Sequence, residues 1–258
     1  MTVSHLFASK PANILSVFFT AGFPKLDSTV SIAKNLQDAG ADLIEIGIPF
    51  SDPIADGPVI QESNTVALAN GMTVKKLLEQ VVEIRKHVTI PIILMGYINP
   101  VLQFGIERFC KEAAAAGANG LILPDMPMDE FQKLYKPLFE RYQLNNTFLI
   151  SPTTSEARIR KIDDATNGFI YAVSSSSTTG AKSGFTQEQE SYFNRLKNMK
   201  LKNPFLVGFG ISDNKTFSKV CEYGAGAIVG SAFISMLKNS ADLKTDIHSF
   251  VAAIVNGQ

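Results

Sequence analysis

A barrel of eight alternating strands and helices, (β/α)8, is the α/β fold class this chain predicts, and three observations carry the prediction. Short apolar runs alternate with longer amphipathic ones along the chain, the pattern of buried parallel strands joined by helical crossovers. Three helix patterns end alike, in DAGADLIEI, AAGANGLIL and EYGAGAIVG, where Gly40, Gly117 and Gly224 read as left-handed stops just before a strand. The length of 258 residues suits a single barrel domain over 1–258, and no G-x-G-x-x-G follows the first strand as an open dinucleotide-binding sheet requires.

Taken in order, the strand candidates are SVFFT at 16–20, LIEIG at 43–47, PIILMG at 91–96, GLIL at 120–123, TFLI at 147–150, GFIYAV at 168–173, PFLVGF at 204–209 and GAIVG at 226–230. Each is a short apolar run bounded by turn residues, as a strand covered on both faces requires. Helical periodicity fills the intervals at 28–39, 73–87, 106–116, 130–142, 155–163, 186–199 and 214–223, and a short helix follows the last strand at 233–238.

Composition narrows the function classes. Lys plus Arg and Asp plus Glu number 24 each, so no net field draws the chain to nucleic acid or an anionic membrane. Lys10, Pro11 and Asn13 interrupt the apolar start, which argues against a secretory signal, and no run approaches membrane-spanning length. Cys110 and Cys221 lie apart in helical segments, as isolated thiols of a reducing compartment do, and a soluble cytoplasmic protein is expected.

The chemistry concentrates in LIEIGIPFSDPIADGPVI at 43–60. Strand side chains alternate, so Ile44, Ile46 and Ile48 share one face while Leu43, Glu45 and Gly47 share the other. The isoleucine face is the packed one. Glu45 then points into the barrel, and Asp56 stands in the Pro- and Gly-rich loop beyond the strand. A glutamate among Phe18, Leu43, Met95 and Tyr171 is desolvated and its pKa rises toward neutrality, whereas Asp56 in a polar loop stays ionised. Carboxyls with separated pKa values make an acid and an electrostatic partner. The competing reading of Glu45 is a structural carboxylate held by backbone N–H groups, and that of Asp56 an ordinary Asp-Gly turn.

At the other side of the mouth, GFGIS at 208–212 and GSA at 230–232 follow the last two strands, where barrels often hold phosphate against backbone N–H groups. Gly210 and Gly230 permit close approach of the main chain, and Ser231 adds a hydroxyl at a helix start, unless they are turn glycines and a plain N-cap. The loop SSSSTTGAKSG at 174–184 reads either as a linker or as a lid carrying Thr179 and Gly180 over the substrate. No strand carries a lysine for Schiff-base chemistry, and His5, His87 and His248 lie outside the strands, so no metal site is expected. Acid–base work by Glu45, with Asp56 and Tyr171 nearby, is what remains.

FFTAGFP at 18–24, EIGIPFSDPIADGPVIQ at 45–61, LMGYINP at 94–100, PDMP at 124–127, VSSSSTTG at 173–180, GFGIS and GSAF then occur in an order that resembles the tryptophan synthase alpha subunit family over almost the whole chain. The resemblance implies a (β/α)8 barrel that is a carbon–carbon lyase, cleaving indole-3-glycerol phosphate to indole and glyceraldehyde 3-phosphate in tryptophan biosynthesis. It implies Glu45 as the acid–base residue at indole C3 and Asp56 as acceptor of the indole N–H. Phe18, Ile60, Met95, Tyr171 and Phe209 would line the indole pocket, with Thr179 in the closing loop near Asp56, and Gly180, Gly210, Gly230 and Ser231 would hold phosphate. It implies no cofactor in this chain, and a beta subunit partner that uses pyridoxal phosphate, faces the Asp52 and Pro53 loop and completes an alpha2beta2 heterotetramer. The chain departs from the family pattern at Ser175, Ser177 and Thr178 of the lid, and at Gly96, where the family commonly has threonine. Two other readings stay open: a different phosphosugar barrel sharing only the phosphate end, and a barrel kept mainly to bind and activate a partner.

Overall fold

The computed structural model describes residues 1–174 and 184–257. Nine strands form one sheet: β1 (Ile14–Thr20), β2 (Leu43–Gly47), β3 (Ile92–Met95), β4 (Gly120–Ile122), β5 (Asn145–Thr147), β6 (Leu149–Ile150), β7 (Ile170–Val173), β8 (Phe205–Gly208) and β9 (Gly226–Val229). Neighbours run β5-β4-β3-β2-β1-β9-β8-β7-β6, and every pairing is parallel. The two edges of that order are consecutive in the chain, separated only by Phe148, so the sheet curls into a nearly closed barrel.

The expected fifth strand is thus two strands. Thr147 pairs with Ile122 of β4, whereas Leu149 pairs with Tyr171 of β7, so this stretch turns from one neighbour to the other at Phe148. The buried Phe148 ring meets Phe131 edge-on at 5.3 Å, which anchors the bend to the surrounding helices.

Alternation sorts the side chains as the pleat demands. Ile44, Ile46 and Ile48 belong to the layer between strands and helices, while Leu43, Ile93, Ile122, Phe169, Tyr171, Leu206 and Ile228 fill the barrel. The helix Val3–Ser9 closes the end opposite the mouth, with Val3 and Leu6 buried in the interior cluster and Phe7 against Phe169 at 6.0 Å. Its i, i+3, i+4 spacing of Val3, Leu6 and Phe7 is a helical signal that the sequence analysis passed over.

Three further helices lie outside the expected set: Pro58–Ala69, Ile98–Phe104 and Leu243–Asn256. Pro58 ends the Asp56 loop by opening a helix, a position where a missing N–H costs nothing. The single helix expected over 130–142 is three pieces, Met128–Glu130, a π turn Phe131–Tyr135 and Lys136–Arg141. Pro137 brings no N–H to the ladder, and the wider turn precedes it. Gly40 and Gly117 are left-handed helix ends, as expected. Gly224 is not: its helix stops at Cys221 without a left-handed residue, and glycine is needed because a Cβ there would lie 2.7 Å from the Phe205 ring and 2.9 Å from its carbonyl oxygen.

Candidate active site

β2 carries Glu45 into the barrel in register with Phe18 of β1 and Ile93 of β3. Its side chain is 0% exposed, and its only partner among the described residues is the Ser16 hydroxyl, which donates to Oε1 at 2.7 Å. Oε2 is buried with no partner among the described residues. Among the described residues no backbone N–H bonds to the carboxyl, which leaves the reading as a structural carboxylate without its support. Burial pushes the Glu45 pKa up to about 7, with the Ser16 hydrogen bond opposing it.

Asp56 sits half-buried in the loop after β2. Tyr97, just beyond β3, donates its hydroxyl to Asp56 Oδ2 at 3.1 Å and accepts the Ala55 N–H at 3.0 Å, and its ring lies 5.3 Å from Phe50. Tyr97 therefore braces the loop. Burial lifts Asp56 to about 6 while the Tyr97 hydrogen bond lowers it, and this corrects the expectation of an unperturbed loop carboxylate. The order of the two acids stands, with Asp56 the more readily ionised, and the separation is narrower than a solvated loop implied.

Tyr171 of β7 is buried and faces both groups: burial first, then the charges of Glu45 and Asp56, hold its phenol well above the usual tyrosine range. Phe209 meets Tyr171 at 6.3 Å with the rings 70° apart. Phe18 is buried, while Met95 at the end of β3 and Ile60 in the first turn of Pro58–Ala69 are half-buried. Phe18 is thus the register partner of Glu45, Tyr171 faces the carboxyl and Phe209 packs on Tyr171, while Met95 ends β3 beside Gly47 and Ile60 follows the Asp56 loop.

Where phosphate is expected, Phe209 and Gly210 both take positive φ, 70° and 75°. For a bulky residue this is a strained conformation. Ser174 holds it, donating its hydroxyl to the Phe209 carbonyl at 2.7 Å and its N–H to Gly208 at 3.0 Å. Gly230, not Ser231, is the N-cap of Ser231–Asn239, and among the described residues no side chain caps that helix, so its first N–H groups have no capping partner there. Ser231 occupies the first helical position, which removes its reading as a plain N-cap. Thr179 and Gly180, like Ser175, Ser177 and Thr178, lie outside the described residues. At Gly96 a Cβ would stand 2.8 Å from the Cβ of Ile48, so here Ile48 takes the space that a threonine would need.

Sequence reasoning missed Ser16, Tyr97 and Ser174. Ser16 is a hydroxyl on the inward face of an apolar strand and Tyr97 stands at a strand end, and both positions were legible signals.

The family model described as tryptophan synthase alpha chain matches residues 6–256. The tryptophan synthase alpha chain of Flavobacterium johnsoniae is 55% identical over 241 residues, covering 93% of this chain and 94% of that protein. That of Bacteroides thetaiotaomicron is 48% identical over 240 residues, covering 93% and 94%. Among solved structures, tryptophan synthase subunit alpha of Legionella pneumophila superposes with a TM-score of 0.89 at 33% identity, over 100% of both chains. A chain of Mycobacterium tuberculosis tryptophan synthase gives 0.89 at 30%, over 99% of this chain and 97% of that one. With its barrel, its buried acid and these similarities along nearly its full length, the chain belongs to the tryptophan synthase alpha chain family.

Proposed function

We propose that Glu45 and Asp56 are the acid–base machinery by which this lyase cleaves indole-3-glycerol phosphate to indole and glyceraldehyde 3-phosphate. Neutral Glu45 donates its proton to indole C3, and Asp56 accepts the indole N–H and stabilises the positive charge that this protonation puts on the ring. The Glu45 carboxylate so formed takes the proton of the hydroxyl on the carbon bonded to C3. That carbon becomes the aldehyde as the C–C bond breaks, and the bond's electron pair returns to the ring and discharges it. Every proton is accounted for, and the step calls on no cofactor in this chain.

The single observation that carries this reading is a carboxyl wholly inside the barrel, one oxygen of which has no partner among the described residues, in surroundings whose burial lifts its pKa toward neutrality so that it can donate there. Phe18, Ile60, Met95, Tyr171 and Phe209 enclose the indole ring. Thr179 belongs to the closing loop. Phosphate rests on Gly180, Gly210, Gly230 and Ser231, at a helix start that no side chain among the described residues caps. The chain works as one barrel domain in the cytoplasm, in an alpha2beta2 assembly whose beta subunit holds pyridoxal phosphate. Ile54, 90% exposed beside Asp52 and Pro53, is an apolar side chain that such a partner would cover.

Indole release, measured with and without the beta subunit, tests the assignment. Glu45→Gln is expected to lower kcat by about 10² to 10⁴ with KM little changed. Asp56→Asn should likewise act on kcat. Near-normal turnover in Glu45→Gln rejects the acid, and a change confined to KM rejects the role of Asp56.

A further inference from the structure

Ser16 lies on the inward face of β1, fully buried and paired with Leu43, two register positions from the Phe18 to Glu45 pairing, and its hydroxyl has the Glu45 carboxyl as its only side-chain partner among the described residues. A serine hydroxyl carries one proton and has two lone pairs, whereas a neutral carboxyl has one oxygen that donates and one that accepts. Ser16 therefore distinguishes two otherwise equivalent oxygens. If the acidic proton sat on Oε1, Ser16 would have to turn and accept it, leaving its own proton without an acceptor in a dry interior.

We propose that Ser16 is a positioning residue for the proton donor: its O–H holds Glu45 Oε1 as an acceptor, so that the transferable proton rides on Oε2, the oxygen with no partner among the described residues. The inference deepens the assignment of Glu45 as the acid and rests on it. After donation the same hydrogen bond stabilises the carboxylate, so Ser16 sets both where the proton sits and how readily it leaves.

The surroundings leave few rivals for this role. Tyr171 of β7 faces Glu45, and Asp56 lies beyond it as the second charge acting on Tyr171. Phe18 of β1, Ile93 and Met95 of β3 and Ile228 of β9 present no titratable group to the interior.

The experiment compares Ser16→Ala, Ser16→Cys and Ser16→Thr with the unaltered chain, in complex with the beta subunit, by the pH dependence of kcat/KM for indole-3-glycerol phosphate. In parallel, the Glu45 carboxyl is titrated by ¹³C NMR, assigned by difference from Glu45→Gln. Ser16→Ala and Ser16→Cys should move the alkaline limb and the NMR titration upward by roughly 1 pH unit, the scale of a lost hydrogen bond to a charged group, and lower kcat several-fold. Ser16→Thr, which keeps the hydroxyl, should leave both in place. Cysteine nearly preserves the volume and donates weakly, so the test survives if the alanine variant fails to fold. Limbs that coincide with the unaltered enzyme in folded Ser16→Ala or Ser16→Cys, or a threonine variant as shifted as alanine, would overturn the role of Ser16 while inactive Glu45→Gln kept the acid. Near-normal turnover in Glu45→Gln would instead remove the acid assignment itself.

Discussion

The two carboxyls of the mouth have burial costs that can be measured apart from turnover. The Glu45 pKa is raised from 4.5 to about 7, so between those values the folded state binds a proton that the unfolded chain has released. Stability therefore falls as pH rises through that window: the penalty is absent below the unfolded value and complete above the folded one. Glu45→Gln should be the more stable protein at pH 8, by about 3 kcal/mol at most, and the difference should vanish near pH 4. Urea unfolding at a series of pH values checks this, and a pH-independent difference would contradict a buried ionisable acid. In catalysis, ionised Asp56 and neutral Glu45 together predict a narrow bell for kcat/KM, with limbs near 6 and 7 that belong to the pair. Tyr97→Phe removes a hydrogen bond that holds Asp56 down, so the acidic limb should rise and the rate at pH 6.5 should drop by about 10-fold. An unmoved limb would mean that Tyr97 serves only to pack the loop.

Among the elements, the helix ends show how one backbone geometry acquires different consequences from its surroundings. Gly40 and Gly117 have nearly the same φ, 102° and 101°. A Cβ at Gly40 would meet nothing within 4 Å, whereas at Gly117 it would lie 2.5 Å from the Arg85 side chain. That side chain donates to the carbonyls of Gly117, Val88 and Ile90 and to Asn119, tying several segments together. Gly40→Ala is expected to cost about 1 kcal/mol, the strain of a left-handed alanine alone. Gly117→Ala should cost about 2 to 4 kcal/mol, because the Arg85 network must shift as well. Equal losses in chemical unfolding would show that Arg85 yields freely.

For the molecule as a whole, the barrel needs its floor. Val3 and Leu6 are buried in the interior cluster, and the remainder of their short helix is largely exposed. Removing residues 1–10 should lower stability by about 3 to 6 kcal/mol, the burial of two such side chains, and admit water beneath the apolar layer under Glu45. Guanidinium unfolding of the truncated chain measures it, and a loss below about 1 kcal/mol would mean that the barrel closes without the plug. Closure itself depends on the bend at Phe148, where β5 and β6 hand the sheet from β4 to β7.

Local pattern determined much of this protein. Apolar runs of strand length placed every strand of the barrel except β5, whose Asn145–Thr147 run is polar, because burial on both faces leaves few residue types to choose from, and alternation alone turned Glu45 inward. The resemblance added the roles of the loop and glycine residues, which spacing by itself left open. The break in the fifth strand and the helix starting at Pro58 became visible only in the folded chain, and the helix legible at Val3–Ser9 took on its role as a plug only there. In each of these, ring closure or end-capping overrides a weak local signal. The same holds for the partners that tune the acids: Ser16 lies 29 residues from Glu45 and Tyr97 lies 41 from Asp56, and only the parallel register of β1 and β2 for the first pair, and the fold of the Asp56 loop toward the end of β3 for the second, brings them to hydrogen-bond distance. A residue's type and periodicity reveal which side of a strand it faces, whereas its pKa and its proton depend on neighbours that three-dimensional closure selects.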